Sequence, residues 1–77
     1  MAELLARLAQ LTFEELVERA MRNHELLRKV KPTIPTANRA NFEQRSHHGL
    51  VEIVARQERI LIHEGLINNA ERVVTPT

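Results

Sequence analysis

Between Leu50 and Ile67 the apolar positions wrap most of the way round a helix. Laid out at about 100° per residue, Ile53, Ile60 and Ile67 form one stripe and Leu50, Val54 and Leu61 a second. Val51, Ala55, Ile62 and Leu66 form a third, leaving Glu52, Arg56, Arg59 and His63 as a polar wedge. A helix with a single neighbour needs a single stripe. This segment therefore predicts cover from two directions, and in so short a chain the second cover is expected from another molecule.

Upstream the pattern is more ordinary. Leu4, Leu5 and Leu8 predict a short helix over residues 2–10, built from good helix formers. Thr12 and Glu15 have the spacing of a capping box, with Leu11 and Leu16 set as a hydrophobic staple, so a second helix is expected over 13–31. Its inward face reads Phe13, Leu16, Val17, Ala20, His24 and Leu27, with Met21 and Val30 on the flanks. Glu14, Glu18, Arg22, Glu25 and Lys29 point outward.

Pro32 and Pro35 remove two backbone donors and push their predecessors toward extended conformations, which predicts a bend over 32–38. A long helix is expected from 39 to 70, with Thr36, Asn38 and Asn41 as candidate caps and Gln44 at the capping-box position relative to Asn41. Gly49 reads as helix interior, and Gly65 equally well as interior or as a C-terminal cap. Residues 72–77 are expected to be a flexible, extended tail.

The fold class that results is all-α, a single domain of 77 residues. It consists of a short N-terminal helix plus an antiparallel helical hairpin that dimerises into a four-helix-type bundle. Gln57, Glu58 and Glu64 fall among apolar neighbours in the second arm. Polar insertions of this kind either fix register and partner number or reach the edge of an interface.

Length makes the need for a partner sharper. A chain of this size hides only about 60 to 65 per cent of its unfolded surface, so its own core is thin. With no cysteine there is no disulfide and no thiolate, which leaves association as the common remedy. No run of 18 apolar residues is present and Glu3 and Arg7 interrupt the N-terminal stretch, so neither a membrane span nor a secretory signal is expected and the cytoplasm is the default location.

Charge is uneven along the chain. Residues 1–18 sum to −3, residues 19–45 to +5 and residues 46–77 to −1, which gives the net charge of +1. The basic middle, through Arg19, Arg22, Arg28, Lys29, Lys31 and Arg39, is the alternative functional surface, a set of phosphate contacts for nucleic acid. Against it stand the absence of Tyr and Trp for base stacking and the lack of a face free of Glu.

Catalytic and metal chemistry find little support. There is no Asp, a single Ser at position 46, and no phosphate-cradling glycine loop. His24-Glu25 and His63-Glu64 each lack a second imidazole four residues on from the first, and no His follows a Glu at the spacing a di-iron bundle needs. His48 and Glu52 could face one another one turn apart, but two ligands make a weak site. No catalytic residue, cofactor or metal is expected. His24, set within an apolar stripe, is the candidate for a pH-sensitive contact, because protonation of a buried imidazole would oppose assembly.

The run Ala20-Met21-Arg22-Asn23-His24, followed by Leu27, is similar to a short stretch of the antiactivator proteins that sequester quorum-sensing transcription factors of conjugal plasmids. Those are small helical hairpins that dimerise, and the resemblance implies that class of function for this stretch alone. From the surplus apolar surface of the C-terminal arm and the lack of catalytic or metal motifs, the expected protein is non-catalytic and self-associating, and acts on a partner protein as an inhibitor, antiactivator or assembly factor. Val51, Ile62 and Leu66 are the expected interface, and Leu4, Leu5 and Leu8 form a docking element.

Overall fold

The computed structural model describes residues 2–67, and among these it is all-helical. Helix α1 spans Ala2–Leu8, α2 Phe13–Val30, α3 Arg39–Glu43 and α4 His47–His63. The expected tail at 72–77 and the last residues of the expected long helix lie outside the described residues.

The start of α2 follows its cap. Thr12 Oγ1 accepts the Glu15 amide at 3.1 Å and the Glu15 carboxylate accepts the Thr12 amide at 2.8 Å, satisfying two donors that a helix start leaves without intrahelical partners. The helix stops at Val30, one residue before Lys31 and two before Pro32, whose ring cannot continue it. Leu16, Val17, Ala20 and Leu27 are buried as the pattern required. His24 is only half-buried, and Asn23 takes an inward position instead.

The single long helix expected from residue 39 is two helices. Asn38 and Asn41 cap α3 reciprocally, so Asn41 is the third residue of that helix rather than its cap. The chain then breaks at Gln44 to Ser46, where Ser46 is extended and its hydroxyl takes the Gly49 amide at 3.0 Å. A serine that offers its side chain to the backbone competes with helix continuation and favours a fresh start. The corner also lets Phe42 stay buried while α4 sets off in its own direction. Gly49 lies inside the first turn of α4, as expected.

Gly65 is a C-terminal cap. Its φ is 79°, its own amide reaches Ile62 O at 3.0 Å, and the Leu66 amide reaches Leu61 O at 2.9 Å. That pair of bonds is the Schellman arrangement, which needs a left-handed residue at this place.

The contacts between α2 and α4 climb together along the sequence. Leu11 meets His47, Ala20 and Asn23 meet Gln57 and Glu58, and Leu27 shares a groove with Ile60. The antiparallel pairing expected of a hairpin is not the one these contacts trace. Residues 31–38 make the return journey beside α2: Arg28 Nε donates to Ile34 O at 3.1 Å and His24 Nε2 to Pro35 O at 2.8 Å, and Arg39 then reaches Glu14 at 2.9 Å. A proline-containing strand of backbone carries few amides of its own, so side chains of α2 satisfy its carbonyls.

The third stripe of α4 is covered from within the chain. Leu4 and Leu8 of α1 join Val51 and Ala55 in one buried cluster with Leu16, Val17, Leu50 and Val54. Val51 is 4% exposed and Leu8 fully buried, so the second cover expected from another molecule is supplied largely by α1.

Two outcomes follow for stability. Leu8→Ala removes a fully buried side chain and is expected to cost about 2–5 kcal/mol, a large part of a small domain's stability; a urea titration followed by circular dichroism reads it, and no change would mean that α1 is not part of the core. Gly65→Ala places a Cβ on a left-handed residue and is expected to cost about 1–2 kcal/mol in the same titration, although no atom within 4 Å opposes that Cβ.

Candidate functional site

An open groove of about 360 Å³ runs between α4, the second half of α2 and the return segment with α3. Its apolar surface comes from Leu27 on α2, Ala37 and Phe42 on the return, and Ile53 and Ile60 on α4. Ile53, Arg56, Gln57 and Ile60 share one face of α4 because they recur at three- and four-residue intervals. Ile60 is 37% exposed, which is unusual for an isoleucine in a chain with so little core to spare. Arg45 and Arg56 stand exposed at the groove and have no ion pair among the described residues. His24 completes the lining, its ring edge-on to Phe42 at 6.1 Å.

Behind the groove, Gln57 and Glu58 are buried at 7% and 1% exposure. Glu58 Oε2 accepts from Arg19 Nε at 2.7 Å and from Asn23 Nδ2 at 2.8 Å. Gln57 Nε2 donates to Ala20 O at 3.2 Å, while Gln57 Oε1 and Glu58 Oε1 have no hydrogen-bond partner among the described residues. These polar insertions therefore set the alignment of α2 on α4 inside one chain. Glu64, the third of them, is exposed.

The other residues singled out in the sequence divide sharply. Val51, Leu4 and Leu8 are inside the core, Leu5 is half-buried against α4, and α1 is not a free docking arm. Ile62 is half-exposed and Leu66 43% exposed, so these two remain on the surface.

Of the basic set, Arg19 is tied to Glu58, Arg28 to Ile34 O, and Arg39 to both Glu14 and Glu43. The Glu43 hydrogen bond, helped by the charges of Glu14, Glu43 and Glu18, holds the Arg39 pKa above its ordinary value against desolvation. Arg22, Lys29 and Lys31 remain exposed. Half of the expected phosphate-binding set is thereby committed to contacts within the chain.

His24 is half-buried, where its position in the stripe suggested full burial. A carbonyl only accepts, so the His24 Nε2 that faces Pro35 O carries a proton. His47 makes the same kind of bond to Leu11 O at 2.7 Å, and exposed His48 pairs with Glu52 at 3.3 Å. Among the described residues no group of three His, Cys, Asp or Glu side chains could hold a metal ion, and no helix is long and apolar enough to cross a membrane.

Asn23 was missed because asparagine on a helix usually reads as a surface residue. Its one signal was position: it lies one turn after Arg19, and both can reach a single acceptor on a facing helix. Phe42 and Ala37 were missed as site residues because the groove they line exists only once the return segment is laid on α2.

The chain matches no family model, no curated protein and no solved structure. Its functional reading rests on the groove, its two arginines and the exposed end of α4.

Arg19→Met leaves the Glu58 carboxylate buried with Asn23 as its partner from α2, and a loss of about 3 kcal/mol is expected. Adding Glu58→Met removes the stranded charge and should restore most of that loss. A urea titration of both variants checks this, and a double variant as unstable as the single one would show that packing, not the ion pair, had been lost.

Proposed function

We propose that this is a non-catalytic helical protein that self-associates and acts by occupying a surface of another protein, as an inhibitor, antiactivator or assembly factor does. One observation carries the reading: after α1 and α2 have each taken a face of α4, an apolar remainder at Ile53, Ile60, Ile62 and Leu66 is still in contact with water. Apolar side chains left partly in water on so small a protein are where a partner would gain most by covering them. The remainder also falls in two places, which suits two contacts. Ile62 and Leu66 lie at the end of α4, whereas Ile53 and Ile60 line the groove.

Self-association is assigned to the α4 end. Pairing two chains there would add cover to a core that is thin for its length. Partner binding is assigned to the groove. Enzymatic activity is not part of the reading, since the ionisable groups of the interior are spent on each other.

Light scattering of the purified chain is expected to give a mass near twice that of one chain, 8.9 kDa. Leu66→Glu should return the mass to that of the monomer with helical circular dichroism unchanged, because a carboxylate placed in an apolar contact must be desolvated. A wild-type chain that stays monomeric, or a Leu66→Glu chain that still pairs, removes the self-association half of the proposal. Retention on heparin that collapses with added salt would instead favour phosphate binding by Arg22, Lys29 and Lys31.

A further inference from the structure

We infer that the groove between α4, α2 and the return segment receives an amphipathic helix of a partner protein whose apolar side chains are flanked by carboxylates. The inference rests on the partner-binding reading above and adds the chemistry of the partner.

Two features of the groove select that occupant. The first is its length and shape. Ile53 and Ile60 are seven residues apart on α4, about 10 Å along the axis, which is the spacing of apolar side chains two turns apart on an incoming helix. A volume near 360 Å³ takes a few such side chains and leaves the backbone that carries them outside.

The second is charge. Arg45 and Arg56 are exposed, have no ion partner among the described residues, and no carboxylate lines the groove with them. An acidic partner gains two charge-assisted contacts there at little cost in desolvation.

Charge also argues against a second copy of this chain as the occupant. A two-fold contact centred on the Ile53–Ile60 face would bring Arg56 close to Arg56 of the other copy, since position 56 lies next to the midpoint of that segment. Like charges at the centre of an isologous contact oppose it.

The test uses the full chain and a fluorescein-labelled helical peptide with Leu at positions two turns apart and Glu beside them, read by anisotropy. Saturable binding is expected. Replacing each Glu of the peptide by Gln, or Arg56 by Glu in the protein, should weaken it about tenfold or more, whereas Arg56→Lys should retain most of the affinity. Arg22→Glu makes the same charge change away from the groove and should leave binding within about twofold once salt screens distant charges. Ile60→Glu should abolish binding with helicity preserved, because Ile60 is already partly in water.

Absence of saturable binding, equal affinity for the Gln peptide, or an equal loss with Arg22→Glu would each overturn the inference. So would displacement of the labelled peptide by a synthetic copy of residues 68–77, which would make the chain's own end the occupant. A change in oligomeric mass with Arg56→Glu would do the same in favour of a second copy. The two proposals fail separately: a dimer that ignores the peptide loses only the groove, and a monomer that binds it loses only self-association.

Discussion

A carboxylate almost wholly removed from water, at Glu58, governs how the two long helices meet. Removing a charge from water is expensive, and only a well-placed partner offsets it. Arg19 and Asn23, one turn apart on α2, both reach the same oxygen of Glu58, so sliding α4 along α2 by a turn would strand the charge. Apolar contacts alone tolerate small shifts, since one aliphatic neighbour is much like the next. The ion pair does not. Its alignment brings Gln57 under Ala20 and sets Ile60 beside Leu27, and the groove is the space that remains beyond them.

The second constraint is scarcity of core. A chain of this length has too few apolar side chains to waste a stripe, and the fold responds by using α1 as a lid on the face of α4 that α2 cannot reach. The cover is incomplete at the end of α4, where Ile60 and Leu66 remain partly in water. A larger domain would bury such side chains against an additional element. The same economy appears in the polar groups. Arg28, His24 and His47 each serve as donors to loop carbonyls, so the return segment and the α1–α2 corner are tied down without a strand or a disulfide.

Features that depend on a few consecutive residues were legible before any coordinates. Thr12 with Glu15 announced the start of α2, Pro32 its end, and the three stripes of the C-terminal arm its helicity. Gly65 left two readings open, because glycine is tolerated inside a helix and also favoured as the left-handed residue that ends one. The break at Gln44 to Ser46 was hidden, since Asn41, Gln44 and Ser46 are all compatible with an uninterrupted helix when judged by local preference alone. The groove had no signature of its own, being formed by residues from three separate segments.

The sequence by itself determined where helices begin, which of their faces are apolar, and that the last of them is over-supplied with apolar surface, because each of these is set by side chains within a turn of one another. Only the tertiary structure decided that α2 and α4 advance in the same sense, that α1 closes the extra stripe, and that Glu58 answers Arg19 across 39 positions of chain. Such pairings are chosen by competition among all the ways of covering the same stripes, and the energies that settle the competition, a buried charge above all, belong to residues that meet only after the chain has folded.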